Sequence, residues 1–315
     1  MRRSTPSVQW WLFACALMVA VMVGLGGLTR LTGSGLSMVE WNPHRLLPPL
    51  SEAEWQQAFD LYRATPQYRL VNAGMDLAGF QGIFWLEYVH RLWGRLIGVA
   101  FALPLAWFAG RRLIDGRLAR RLLLILGLGA FQGGLGWFMV ASGLVDVPEV
   151  SHFRLAAHLV AALAILVALV WTALDLRYGA ARTAPSLAWA VAALVAVTIT
   201  WGAFVAGLKA GLVADTFPLM NGLWLPDDGW DALHARGAVH FTHRGLAVAS
   251  VIALTVLALR CRRFAPAAAW SWLQASLGIA TIVNHVPVAL ATAHQMGAVV
   301  LVVLLTWGLH GTRSG

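Results

Sequence analysis

Four of the ten histidines in this 315-residue chain stand a few residues inside long apolar runs: His90, His158, His243 and His294. A polar group in hydrocarbon is costly, so an ionisable side chain there is a functional candidate by default. All four runs cross in the same direction. At about 1.5 Å of helix rise per residue, the four side chains reach one depth, in the outer third of a bilayer, with one facing pair in each half of the chain. Two imidazoles on facing helices in an apolar bundle suit haem, because bis-His ligation holds the iron and the macrocycle fills the space between helices. Zinc asks for three or four ligands and a more polar shell. The plainer alternative is that each histidine satisfies a local hydrogen bond; four at repeated positions and one depth argue against it.

Charged neighbours extend the pattern. Arg91 follows His90, Arg244 follows His243, and Arg95 lies one turn beyond Arg91. These arginines either pair with haem propionates or snorkel from a helix mouth; Arg91 and Arg95 share a helical face, which favours the first for that pair. Glu87 stands three residues before His90, where the second half has His240. A carboxylate is comfortable near a helix N-terminus, but beside a buried haem it could also relay protons or orient a reacting group. A haem site with an acid and one without need not do the same job. His152, His240 and His285 are read as lying nearer the surface, in supporting or interfacial positions.

The elements that must position these residues are membrane helices. The chain is 59% hydrophobic and 12% charged, with a mean hydropathy of +0.70, against about 45–50% and about 25% for soluble domains. That excludes a soluble fold, a disordered chain and a collagen-like repeat. The net charge of +9 could suggest nucleic acid, but the charges lie between apolar runs, and every cation except Lys209 is arginine; they set topology. A span needs about 20 mostly apolar residues, and eight runs qualify: 10–28, 88–109, 122–141, 155–174, 187–208, 241–259, 267–282 and 288–307. The first is too long for a signal peptide and lacks a small-residue cleavage site, so it reads as a retained helix. Two long outer loops, 29–86 and 209–239, form a lid. Ser51 and Glu54 make a capping-box pattern that starts a short helix carrying Trp55, Phe59 and Tyr62. Residues 76–85 are apolar but too short to span, and predict a separate interfacial helix.

With the N-terminus inside, the inner segments collect Arg2, Arg3, Arg111, Arg112, Arg117, Arg120, Arg121, Arg177, Arg182, Arg260, Arg262, Arg263 and Arg313 against two acids, Asp115 and Asp175. This is the positive-inside pattern, with both termini cytoplasmic and the histidines toward the outer face. Cys15 and Cys261 fall near the inner side, where thiols stay reduced. The halves also repeat. Residues 26–36 echo 202–212, Val89-His90-Arg91-Leu92 echoes Thr242-His243-Arg244-Gly245, and Phe131-Gln132-Gly133-Gly134-Leu135-Gly136 echoes Leu273-Gln274-Ala275-Ser276-Leu277-Gly278. Ala157-His158 matches Ala293-His294. The predicted fold is all-α: eight transmembrane helices as two four-helix bundles, 1–180 and 181–315, in parallel orientation and related by a pseudo-two-fold axis along the membrane normal.

Glu87-Tyr88-Val89-His90-Arg91, Ala157-His158, Val239-His240-Phe241-Thr242-His243-Arg244, Ala293-His294-Gln295-Met296-Gly297, residues 26–36 and Thr216-Phe217-Pro218-Leu219-Met220 together resemble the heme A synthase family, over about 10–309 of the chain. The resemblance implies an oxidoreductase of the bacterial inner membrane that oxidises the C8 methyl of haem O to a formyl group, giving the haem A that cytochrome c oxidase requires. It implies haem b on His243 and His294, haem O as substrate at His90 and His158, and Glu87 as a residue needed for activity. Implied partners are haem O synthase, cytochrome c oxidase assembly factors and an electron donor or acceptor; a bound copper ion and a homo-oligomer are left open. Some members carry a cysteine pair in the first outer loop. Residues 29–86 hold none, which is similar to the cysteine-free proteobacterial and mitochondrial subgroup and removes a thiol-based redox step there. A diheme electron-transfer cytochrome b, or a haem transporter or chaperone, would fit the same histidines; Glu87 opposite His240 favours the oxidoreductase.

Overall fold

The computed structural model describes residues 6–40, 47–144, 148–181 and 183–311. Arg2, Arg3, Arg182 and Arg313 of the inner charge belt lie outside them. Ten α-helices follow in order: α1 (Pro6–Leu31), α2 (Glu52–Arg63), α3 (Pro66–Leu70), α4 (Leu77–Gly110), α5 (Gly116–Ala141), α6 (His152–Tyr178), α7 (Ser186–Gly207), α8 (Arg236–Arg260), α9 (Ala265–Val283) and α10 (Val288–His310). Among the described residues there is no β-strand, only an isolated bridge between Met220 and Leu223.

Among the described residues seven helices, α1, α4, α5, α6, α7, α8 and α10, are long and apolar enough to cross a membrane. The chain is a multi-pass, all-helical membrane protein. The eighth expected run folds as α9, 19 residues long, but it is not among the seven. Ser271, Gln274 and Ser276, with the weakly hydropathic Trp270 and Trp272, dilute its apolar character. It packs against α8 and α10 nonetheless.

Two local outcomes matter for the site. The capping box forms as expected: the Ser51 side chain accepts from the Glu54 N–H while the Glu54 carboxylate reaches back to Ser51 N, and α2 carries Trp55, Phe59 and Tyr62. The separate interfacial helix at 76–85 does not form. Asp76 caps α4 by accepting from Gly79 N at 2.8 Å, and the helix runs unbroken for 34 residues to Gly110. The apolar stretch was too short to span alone, but nothing between Trp85 and Tyr88 breaks a helix, so it continues into the span.

Two main clusters make up the core. Leu12, Val19, Phe101, Leu105, Leu122, Leu166 and Leu169 form one cluster, joined by Val299 of α10. Val191, Val195, Leu254, Leu257, Phe264, Leu301 and Leu305 form the other. The halves meet where α1 and α6 pack against α10 and where α6 packs against α7. Beside the start of α6 Lys209 donates to Glu149 at 2.9 Å, which holds the Glu149 carboxyl below its usual range; both side chains are about half exposed, so the tie is weak.

A firmer tie lies at the opposite end. Asp175 of α6 is 2.6 Å from Arg121 of α5 and 2.9 Å from Nε2 of His310 on α10. His310 is 1% exposed, with its ring edge-on to Trp171 at 5.3 Å. Removing one partner from such a contact leaves buried polar groups unsatisfied, at about 1–3 kcal/mol. Asp175→Asn is therefore expected to lower the thermal midpoint of the detergent-solubilised protein by several degrees. An unchanged melt would show that the two halves do not depend on this contact.

Candidate functional site

Each of the four histidines rests against a glycine on the long apolar helix that precedes its own, with the short α2 and α3 set aside. A Cβ placed on Gly26 of α1 would stand 3.1 Å from Cε1 of His90 on α4, and one on Gly136 of α5 would stand 3.1 Å from Cε1 of His158 on α6. The same holds for Gly202 of α7 with His243 on α8, at 3.0 Å, and for Gly278 of α9 with His294 on α10, at 2.9 Å. All four glycines lie five residues before the last residue of their helices. The rings of each pair, His90 with His158 and His243 with His294, are within electrostatic reach of one another.

The two pairs are held differently. Nδ1 of His243 is 3.1 Å from the Thr198 carbonyl oxygen, and Nδ1 of His294 is 3.1 Å from that of Gln274. A ring nitrogen that donates to a carbonyl fixes the tautomer and orientation of the imidazole and leaves Nε2 to a metal. Nδ1 of His90 stands near the Leu25 carbonyl but closes no hydrogen bond among the described residues, nor does Nδ1 of His158. The backbone of one member of each pair is clamped: Gln132 donates to the His158 carbonyl at 2.9 Å and Gln274 to the His294 carbonyl at 2.8 Å. Among the described residues no three His, Cys, Asp or Glu side chains converge as a metal cluster. A paired-imidazole donor set with Nε2 open, on glycines that leave room for the rings, fits axial ligation of haem iron.

Above His90 a latch closes on the loop that follows α1. Glu87 is 2% exposed and accepts from Ser37 Oγ at 2.7 Å, Met38 N at 2.9 Å and Arg91 at 2.6 Å. Arg91 in turn donates to the carbonyls of Met38 at 2.8 Å and Glu40 at 3.1 Å. In the second half Arg244 donates to the carbonyls of Ala214 at 3.0 Å, Thr216 at 3.0 Å and Leu219 at 3.2 Å, and its Nε to His240 Nε2 at 3.2 Å. Extending the register of 26–36 with 202–212 sets Met38 opposite Ala214 and Glu40 opposite Thr216, so the two latches are repeat partners. These geometries change two expectations. Glu87 is the eleventh residue of α4, far from the helix start, where the dipole has already faded. His240 is 2% exposed, buried against Arg244 because it occupies the position of Glu87.

Arg95 lies one turn deeper on α4, partly buried. His152 opens α6 with Nε2 3.0 Å from the Leu233 carbonyl oxygen, and His285 is an exposed side chain 3.4 Å from Asp215; both are peripheral, as expected. The lid rests on an aromatic stack, in which Trp55 meets Phe84 at 4.9 Å and Tyr62 stacks on Phe80 at 5.3 Å, next to Tyr88. Reading single residues missed Ser37, the two glutamines and the four glycines. The repeat did carry a signal, because it aligns Gln132 with Gln274, Gly136 with Gly278 and Gly26 with Gly202.

Residues 9–306 match the family model described as cytochrome oxidase assembly protein. The chain is 49% identical to a heme A synthase of Paramagnetospirillum magneticum, over 96% of this chain and 93% of that protein. It is 47% identical to one of Rhodospirillum centenum, over 98% and 88%, and 45% identical to one of Parvibaculum lavamentivorans, over 96% and 94%. Matches of this identity along nearly the whole length place the chain in the heme A synthase family.

Proposed function

We propose that this protein oxidises the C8 methyl of haem O to a formyl group, yielding haem A, by successive oxidations at one carbon. The observation that carries the reading is the asymmetry between the halves. Both hold a histidine pair on glycines, but only the first places a buried carboxylate, Glu87, one turn above a ligand. Only the second anchors both rings through Nδ1. A permanent cofactor suits the anchored pair, and an exchanging substrate suits the other.

In this reading His243 and His294 hold haem b, which when bound supplies one-electron redox chemistry. His90 and His158 take the iron of haem O and set its methyl edge by the Glu87 latch. With water as the oxygen source, methyl to formyl releases four protons with four electrons, so a proton acceptor at the methyl is required. Glu87 is that group: its Oε2 is held by Ser37 and Met38, and its Oε1 by Arg91. Arg91 and Arg244 are assigned to holding the loops shut against water, since their donors are engaged there. Arg95 is assigned to a haem propionate. The reading also includes eight spans in two halves, 1–180 and 181–315. The support for the eighth is that Gly278 of α9 keeps the five-residue register of the other three glycines. The inner membrane with cytoplasmic termini follows from the arginine distribution. Haem O synthase, oxidase assembly factors and an electron acceptor outside the chain are the expected partners.

Pigment extraction tests this. Membranes holding this chain together with a haem O synthase should contain haem A. Haem B and haem O alone would leave a diheme cytochrome or a haem carrier as the reading of the same four histidines.

A further inference from the structure

We propose that Gly26, Gly136, Gly202 and Gly278 are positioning residues for haem ligation, each setting the imidazole plane of the histidine on the next span. The inference rests on the reading of the four histidines as iron ligands. It assigns to the odd-numbered spans of each half a task that no polar residue reveals.

Four independent observations coincide. The glycines occupy one register, five residues from the end of each helix. Each faces the same atom, Cε1, of its histidine, with 2.9–3.1 Å left for a Cβ. The contrast is clearest on α5, where Gly127, Gly129, Gly133 and Gly134 have nothing within 4 Å of a built Cβ; Gly24, Gly27 and Gly207 are close-packed too, but against Met296, Gln295 and the Cβ of His152 rather than an imidazole ring. The repeat counterparts of Gly133 and Gly134 are Ala275 and Ser276, so side chains are tolerated where no ring approaches. On α5 and α9 the residue one turn before the glycine, Gln132 or Gln274, grips the backbone carbonyl of the same histidine. On α7 the residue one turn before, Thr198, takes the ring Nδ1. The preceding span thus grips His158 and His243 at one point each and His294 at two, with the glycine against the ring.

A methyl at this distance must displace the ring by a few tenths of an ångström. A free imidazole can move that far. One whose Nε2 is bound to iron and whose Nδ1 is bound to a carbonyl has both ends fixed, so it tilts or loses a bond. Losing the support of a metal-ligating histidine costs on the order of 10–100-fold in metal affinity.

The test uses the whole protein, purified with its haem. Gly202→Ala and Gly278→Ala are each expected to lower haem b retained per chain on the order of 10–100-fold, or to shift the low-spin ferric electron paramagnetic resonance signal, which reports the imidazole planes. Gly133→Ala should leave both unchanged. Wild-type haem content and an unshifted signal in the two alanine variants would overturn the proposal. Should Gly202→Ala simply fold poorly, the pair His243→Ala and Gly202→Ala with His243→Ala decides the question, as a double-mutant cycle. If the glycine serves the ring, removing the ring removes the penalty, and the two proteins are equally well folded by circular dichroism and thermal melt. An equal penalty with and without the ring would mean that Gly202 serves helix packing only, and would sink the proposal. This cycle needs no haem. A coupled pair in a protein that never shows a low-spin spectrum would retain the steric seat and refute the ligand reading instead.

Discussion

Purified protein carrying His243→Ala or His294→Ala is expected to lose the low-spin b-type spectrum, while His90→Ala and His158→Ala keep it. One imidazole cannot hold a six-coordinate low-spin iron, so each of the first two substitutions is sufficient alone. The choice of pair follows from how the rings are held. Thr198 and Gln274 fix Nδ1 of His243 and His294, which raises ligand basicity and orients Nε2. Among the described residues Nδ1 of His90 and of His158 closes no hydrogen bond, so haem bound there exchanges more easily during purification. The measurement is the reduced-minus-oxidised spectrum of all four variants at matched protein. A reduced spectrum that survives both C-terminal substitutions would place haem b elsewhere, and loss with His90→Ala and His158→Ala would exchange the roles of the halves.

The histidines, the repeat and most of the spans were legible because each obeys a rule with a strong period. Apolar runs mark the spans, and imidazoles inside them stand out against hydrocarbon. Less legible was everything that depends on a contact between distant segments. Glu87 looked like a helix-start acid because the apolar stretch at 76–85 read as a separate element; once Asp76 caps one continuous helix, the carboxylate lies deep in α4 and needs buried partners. Ser37, Met38 and Arg91 supply them, two from a loop some fifty residues away in sequence. The arginines likewise read as propionate partners or snorkelling cations, whereas Arg244 turns its donors to three carbonyls of its own loop and to His240. Main-chain acceptors have no signature in composition. The glycine seats were hidden for a related reason: in a chain with 31 glycines, only the contact with a ring separates four of them from the rest.

Glu87→Gln separates proton chemistry from the latch. As a mere decoration of a helix start, the carboxylate would be worth a fraction of a kcal/mol, but the geometry shows a buried group with three donors. Glutamine keeps an oxygen for Ser37 and Met38 and loses the charge opposite Arg91. Breaking a fully buried pair costs about 3–5 kcal/mol; Arg91 is 17% exposed and keeps its two loop carbonyls, so the structural loss is smaller. General acid–base contributions are about 10²–10⁴-fold. Haem A in membranes supplied with haem O is therefore expected to fall by at least two orders of magnitude. Haem b should stay at wild-type level, because His243 and His294 stand in the other half and share no hydrogen bond with Glu87. Retained haem b serves as the readout of folding. Ser37→Ala supplies the second comparison, since it loosens the latch by one hydrogen bond and leaves the carboxylate in place. If Glu87 only fastens the loop, Ser37→Ala should lose a comparable share of haem A. If Glu87 handles the protons of the methyl oxidation, Ser37→Ala should retain most of the activity and Glu87→Gln almost none. Near-normal haem A from Glu87→Gln would reduce this residue to a loop fastener and remove the ground for placing the chemistry in the N-terminal half.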